Sequence, residues 1–484
     1  MTTAHPAVVR EVDATPAQLR WLACHEPERF PCLFDSPGGG PLGRCMMLPA
    51  ATGEALVLWG DGRLEAVGVG ASPPVLAGGF LASLDAWWLG AAAARPPHAA
   101  ARVDAGDGAC AGEGGAPFAG GWCLYLAYEF AAQVEPRLGL PALPAGQPLA
   151  WAGRADAVVT LDAASRRCRL VAEPAAAARL EELESALARA ARGVATSAGA
   201  PAAAAAAVLE DPPERFTQGV RAAQEAIAAG DIYQANLSRA WRLRFTRAPH
   251  IATLYEALVR ANPAPFAAFA TLPDGRVLLS SSPERLVRVR NGLVETRPIA
   301  GTRPRSGAGD AGEQAAMLAS AKERAEHVML IDLERNDLGR ICDAGSVQVD
   351  EFMVTETYRH VHHIVSNVSG RLRAGTTPGE VLRAVFPGGT ITGCPKLRAI
   401  EVIAALEGEA RGPYTGSLGY LGVDGSMDLN ILIRTALLQG NALEWRAGAG
   451  IVADSDPARE LAETRAKARG LLLAFAAGHA GEGR

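Results

Sequence analysis

The strongest constraint on what this chain can become lies between Phe386 and Lys467, where two glycine turns bracket a two-faced strand and a carboxylate-bearing helix closes the run. In MDLNILIRTA, alternation across a strand puts Met427, Leu429, Ile431 and Ile433 on one side and Asp428, Asn430 and Arg434 on the other. One face reads as core and the other is placed to meet a ligand. In the closing helix Glu460, Glu463 and Lys467 stand at i, i+3 and i+7, so two carboxylates share one stripe and can converge. Convergent carboxylates want a cation.

A second pair with the same spacing, Glu323 and Glu326, lies in the helical run EQAAMLASAKERAEHVMLIDLERNDLGRI. Alone, such a pair belongs to an ordinary solvated helix face. Two pairs on two helices predict a pocket of mutually repelling carboxylates, and Mg²⁺, a hard cation that takes oxygen ligands, is the ion that relieves them.

Composition narrows the class. The chain has 484 residues, 49% hydrophobic and 20% charged, enough for one large core or two. A formal net charge of −5 and the lack of basic runs interleaved with aromatics give no reason to expect nucleic acid or an anionic membrane as partner. Eight cysteines without a C-x-x-C pair argue against a zinc site or a disulfide framework. With no apolar leader and no membrane-length apolar run, a cytoplasmic protein is expected.

Along the chain, residues 1–190 are rich in Gly, Ala and Pro and read as a β-rich half. Its GG-W-aromatic segment, Pro117 to Phe130, reads first as an ordinary core strand and also suits a strand that approaches another backbone closely. The Ala-rich stretch 191–209 is expected to be a linker, and residues 210–480 a second half that carries the chemistry. There Pro273-Asp274-Gly275 and Asn291-Gly292 mark turns between strands, the second a hairpin signal, so antiparallel sheet is implied.

The motifs PIAGTRPR, KERAEHVMLIDLERNDLGR, HHIVS, PGGTITGCPK, MDLNILIRT and GAGIVADSDPARELAET, in this order, resemble the chorismate-utilising enzymes. That family includes anthranilate synthase and aminodeoxychorismate synthase components I and the isochorismate and salicylate synthases. The resemblance is dense over residues 210 to 475. It implies an α+β fold, two large antiparallel β-sheets packed as a sandwich with flanking helices, around a cleft for chorismate and one Mg²⁺. By resemblance Glu326 and Glu463 hold the metal, with Glu323 and Glu460 ligating or supporting. Arg434, Tyr420 and the backbone around Gly450 grip the enolpyruvyl carboxylate, Lys467 lies near the ring carboxylate, and Thr390 touches substrate. An arginine fork and free backbone donors suit an anion.

Glu284 of SSSPERLV matches the family's general acid for the departing 4-hydroxyl, and His363 of HHIVS the histidine near the pyruvyl side. Gln234 stands where water-adding relatives carry a lysine base, so the resemblance implies ammonia as nucleophile, supplied by a separate glutamine amidotransferase subunit. QANLS, NPAPF, SSSPER and PGGTITG resemble the aminodeoxychorismate synthases, which aminate C4 and retain the enolpyruvyl group. Ala300 of PIAGT departs from the lysine many of them carry and matches the anthranilate synthases, the alternative reading.

Overall fold

The computed structural model of the chain describes residues 7–37, 45–68, 76, 78–93, 118–162, 165–197, 205–305, 310–357 and 361–476. Its described strands join into one antiparallel, curled sheet of 21 strands with helices packed outside. The expected α+β fold is present, and its two layers are two arms of this continuous sheet.

The hub is the long strand Pro148–Asp162, which pairs with Cys45–Trp59, Gly121–Leu126 and Cys168–Ala172. One arm runs from Cys45–Trp59 through Cys32–Asp35, Phe266–Thr271, Val277–Ser282, Thr435–Gln439 and Ala442–Ile451 to Gln234–Phe245. The other runs from Gly121–Leu126 through Ser417–Gly422, Met427–Ile431, Arg285–Arg290 and Leu293–Thr296 to Val361–Arg371. Strands of the first half thus hydrogen-bond to strands of the second in both arms. Helix Pro457–Phe475 packs on Ala442–Ile451, and helix Ala321–Gly339 on Val361–Arg371 and Ile299–Pro304.

Local chemistry explains the joints. Asn291 and Gly292 have φ of 52° and 74°, the left-handed pair that a two-residue hairpin loop needs to match strand twist. Gly121 sits at φ 148°, and a Cβ there would land on the Leu421 carbonyl, so the close backbone approach expected in the GG-W segment is real.

Three expectations change. The stretch 191–209 is not all linker: helix Arg179–Ser197 carries on because Leu183, Ala186, Leu187 and Ala190 bury one stripe, and Ala205–Glu210 pairs with Gln234–Phe245. Residues 198–204 lie outside the described residues. Secondly, MDLNILIRTA does not stay one strand: it stops at Ile431, and Arg434 adopts φ 51° before Thr435–Gln439 begins. Thirdly, the polar face of that strand is mostly engaged by the protein. Asp428 takes a two-pronged hydrogen bond from Arg285 at 2.9 and 3.0 Å, and Asn430 bridges Leu418 N and Phe266 O.

The break in that strand is where the chain changes arms. A matching change occurs at Pro283–Glu284, between Val277–Ser282 in one arm and Arg285–Arg290 in the other. The two crossings are tied together: Ile431 N donates to Glu284 O at 3.0 Å, Ser282 Oγ to Ile431 O at 2.5 Å, and Ser281 N to Arg434 O at 3.1 Å. Among the described residues no helix is long and apolar enough to cross a membrane.

Gly121→Ala is expected to destabilise the protein by at least about 2 kcal/mol, through strain and the clash with Leu421. Gly146→Ala, where nothing lies within 4 Å of the added carbon, should stay within about 0.5 kcal/mol. Denaturant unfolding of the two variants side by side checks this, and equal stabilities would refute the close approach.

Candidate active site

The two crossings deliver Glu284 and Arg434 to one place. Glu284 is 6% exposed, and burial pushes its carboxyl up to about 7, against the opposing pull of the Thr390 hydroxyl, Lys467, Arg434 and the Ile299 N–H. Burial also lowers the Arg434 guanidinium from its ordinary value, with Glu284 holding it partly up. Arg434 forms no ion pair among the described residues, unlike Arg285, Arg411 and Arg446, each of which faces a carboxylate. A half-buried guanidinium of this kind, beside a carboxyl that keeps its proton up to about neutrality, has the chemistry of an anion receptor next to an acid.

His363 closes another side. Its strand Val361–Arg371 pairs with Ile299–Pro304, setting Ile364 opposite Ala300 and His363 opposite Thr302. The imidazole is 2% exposed and donates from Nδ1 to Gly301 O at 3.4 Å. Burial, with Arg434, His362 and Lys467 adding to it, pushes its pKa down to about 3, so the ring is neutral. Ala300 is 8% exposed, a small side chain in the wall next to Ile299.

The third side is the end of Ala442–Ile451. Its pairing with Thr435–Gln439 stops at Trp445, and beyond that residue no described strand lies on this edge. Lys467 Nζ donates to Gly448 O at 2.9 Å and pairs with Glu463 at 2.7 Å. At Gly450 a Cβ would sit 2.5 Å from Gln234 Nε2 and 3.4 Å from Glu326 Oε1, so a side chain there would displace the Gln234 amide. Gln234, 3% exposed, donates from that Nε2 to Glu326 Oε1 at 3.3 Å.

The four candidate metal carboxylates therefore do not form a closed cage. Among the described residues no group of three His, Cys, Asp or Glu side chains stands close enough to hold an ion. Glu326 lies against Gly450, whereas Glu463, exposed on the other helix, is tied to Lys467, whose Nζ in turn donates to Gly448 O. Glu323 lies over Gly301, its Oε2 3.0 Å from where a Cβ would be, and Glu460, 8% exposed, accepts from Ser455 Oγ at 2.7 Å. An all-oxygen pair of this kind fits Mg²⁺, which binds through one or two carboxylates and keeps waters or substrate oxygens for the rest.

Tyr420 stands apart. Its ring packs on Phe34 and Phe118 at centroid distances of 5.9 and 5.3 Å, on the far side of its strand, and burial raises its hydroxyl well above the usual range. Alternation explains this: Tyr420 shares its strand face with Leu418, and it pairs with Asp428 on the strand that Arg285 holds. Conversely, Glu334, Thr296 and the Lys396–Asp337 pair lie behind Thr390 and were not foreseen. The signal for Glu334 was present, a carboxylate at i+4 between Leu330 and Leu338 on a buried helix stripe.

Comparison with known proteins shows the family. Residues 89–473 match the family of chorismate binding enzymes. Anthranilate synthase component 1 of Streptomyces coelicolor is 43% identical over 378 residues, 74% of this chain and 73% of that protein. Aminodeoxychorismate synthase component 1 of Bacillus subtilis is 47% identical over 255 residues, 52% of this chain and 54% of that protein. The crystal structure of anthranilate synthase component I from Streptococcus pneumoniae has a TM-score of 0.72 at 30% identity, covering 88% of this chain and 92% of that one. The menaquinone-specific isochorismate synthase of Escherichia coli, 20% identical with a TM-score of 0.65, shares the fold.

The Glu284 carboxyl, raised from an ordinary value of 4.5 to about 7, binds its proton more tightly folded than unfolded. Stability is therefore full below pH 4.5 and falls as pH rises through 7, by roughly 3 kcal/mol for a shift of this size. Glu284→Gln should remove that loss, unfolding at higher denaturant than the parent at pH 8 and at a similar one at pH 4.5. Equal midpoints at pH 8 would mean that the carboxyl is not held protonated.

Proposed function

Because the chain belongs to the chorismate binding enzyme family, we propose that it aminates chorismate with ammonia at C4, giving 4-amino-4-deoxychorismate. The observation that carries this reading is Glu284, protonated near neutrality beside an Arg434 that no carboxylate neutralises. Chorismate brings two carboxylates and a hydroxyl that must leave, and this site offers cations for the first and a proton for the second.

In the reaction the ammonia nitrogen bonds to C4 as the C4–O bond breaks. Glu284 gives its proton to the departing hydroxyl, which leaves as water, and its carboxylate takes back a proton from the incoming ammonium. Arg434 and the open strand edge at Gly450 receive the enolpyruvyl carboxylate. Thr390 orients the acid, and Lys467 lies near the ring carboxylate. Mg²⁺, when bound through Glu326 and Glu463 with Glu323 and Glu460 in support, supplies positive charge to that ring carboxylate.

Gln234 favours ammonia over water. Its amide donates to Glu326 and has no basicity with which to activate water, whereas ammonia needs no base. The same reading assigns ammonia delivery to a separate glutamine amidotransferase subunit.

His363 supports retention of the enolpyruvyl group. Expelling pyruvate requires loss of a ring proton, and an imidazole pushed down to about 3 is a poor acceptor for it. A second reading, amination at C2 with loss of pyruvate to give anthranilate, is favoured by Ala300 and by the name of the Streptomyces relative, which matches three-quarters of both chains.

The test is product analysis with purified chain, chorismate, ammonium salt and Mg²⁺. Chorismate should disappear without anthranilate or pyruvate, and p-aminobenzoate should form only once an aminodeoxychorismate lyase is added. Equal anthranilate and pyruvate would decide for the second reading, and no consumption would refute both. Glutamine should not replace ammonium until the amidotransferase is present. Chelator, Glu326→Gln or Glu463→Gln should each lower turnover more than about a hundredfold while leaving the circular dichroism spectrum unchanged.

A further inference from the structure

Helix Ala321–Gly339 carries one acid on its buried stripe that the mechanism above does not use. Glu334 is 6% exposed, between Leu330 and Leu338, which are 4% and 0% exposed. Its carboxyl presses on the turn that carries Thr390: a Cβ on Gly389 would stand 3.2 Å from Glu334 Oε1 and 3.1 Å from Leu333 Cδ2. On its other side the same turn packs on the crossing that carries Glu284: a Cβ on Gly388 would stand 3.0 Å from Ile431 Cδ1 and 3.3 Å from Leu286 Cδ1, and Ile431 N donates to Glu284 O at 3.0 Å. The glycine-rich turn thus lies between Glu334 and the Glu284 crossing.

The other charges around Glu334 are already matched. Asp337, one turn on, is paired with Lys396 from helix Lys396–Glu407 and receives Arg340 Nη2 at 3.1 Å. Thr296, 1% exposed, ends the neighbouring strand Leu293–Thr296. Beyond Asp337 and Lys396, Glu284 is the remaining charge felt at Glu334.

We propose that Glu334 is a positioning residue for the acid step, holding the Gly388–Ile391 turn against Glu284 and opposing from behind any negative charge that forms on it. Two carboxyls sealed from water behind so thin a partition do not both ionise readily, so each makes the other harder to deprotonate. The charges of both are in keeping: burial, then Asp337, pushes Glu334 up to about 7, Lys396 and Thr296 oppose, and Glu284 adds to the rise. When Glu284 has given its proton to the leaving hydroxyl, the neighbouring acid favours its reprotonation. The chemical step rests on the proposed function, whereas the coupling of the two carboxyls does not.

The sign of the effect follows. Removing the Glu334 charge while keeping its shape lowers the pKa of Glu284, so activity that needs a protonated Glu284 is lost at lower pH. In Glu334→Gln the alkaline limb of kcat should move down by about one pH unit with KM changed less than twofold. Turnover is followed as chorismate consumption, whichever product forms. Independently, difference infrared titration of the unliganded protein should show three buried carboxyls losing their protons near neutrality, Glu284, Glu334 and Glu129, which burial likewise pushes up to about 7. Glu334→Gln and Glu284→Gln should each leave two, of which the remaining member of the Glu284–Glu334 pair titrates lower than in the parent. Glu334→Ala, which also removes the packing behind Gly389, should raise KM in addition.

An alkaline limb and a Glu284 band both unmoved in Glu334→Gln would overturn the inference, as would a loss of activity uniform across pH. If the parent consumes no chorismate, the proposed function fails while the infrared titration still decides the coupling. A Glu334 band unmoved in Glu284→Gln would then refute it.

Discussion

Everything in the site depends on two places where the chain leaves one arm of the sheet for the other, and on the hydrogen bonds that tie them side by side. Ser282 Oγ to Ile431 O, Ile431 N to Glu284 O and Ser281 N to Arg434 O lock the crossings in one register. A crossing cannot continue either ladder, so its side chains are released from strict alternation. Arg434 uses this freedom at φ 51°, a conformation a non-glycine residue holds only where its surroundings over-determine it. The sheet on both sides supplies that determination, and the acid and its cation are thereby placed on rigid backbone.

The electrostatics show the cost of this placement. Burial disfavours the charged form of Glu284, Arg434 and His363 alike, and the described neighbours only partly compensate. Elsewhere the protein compensates fully. Glu407, also buried, accepts from Ser238, Arg411 and Arg446 and is held below the usual carboxylate range despite its burial. The contrast separates a structural charge, surrounded by partners, from Glu284 and Arg434, whose described neighbours leave part of the burial uncompensated. Charge of the opposite sense arriving on a substrate is what the second kind awaits.

How much of this the sequence discloses depends on how local the cause is. The Asn291–Gly292 hairpin and the Gly121 approach were legible because each follows from the φ values that one or two residues permit. Helix pairs such as Glu460 and Glu463 were legible as a stripe, but their surroundings were not: Ser455 takes one and Lys467 the other. The arms of the sheet join residues hundreds of positions apart, as in Ser417–Gly422 with Gly121–Leu126, and no period in the sequence reports that. For the same reason the break at Arg434 read as continued strand, and Tyr420 read as a substrate contact although its strand face turns it toward Phe34 and Phe118. Motif resemblance placed Glu284, Arg434, His363 and Gln234 on the list. Only the fold says which stand within reach of one another.

The choice between the two amination outcomes then becomes a question about one wall of the cleft. Ala300, Gly301 and His363 form it: the small side chain offers no nucleophile, the bulge at Gly301 turns its carbonyl toward the histidine, and Arg434 and Lys467 help keep that histidine neutral. On the proposed function, a wall without a lysine leaves ammonia to act directly, which both outcomes allow, whereas a wall whose histidine is a poor base leaves the ring proton in place. Only the second property separates the outcomes, and it is the one that supports the reading of displacement at C4. A substrate carboxylate bound near Arg434 would offset the positive charge that helps depress His363, so the strength of that grip governs how far the imidazole recovers its basicity. On the proposed function, a grip shared between Arg434 and the Gly450 strand end, where no described strand lies on the edge beyond Trp445, offsets less of that charge than a carboxylate held by Arg434 alone.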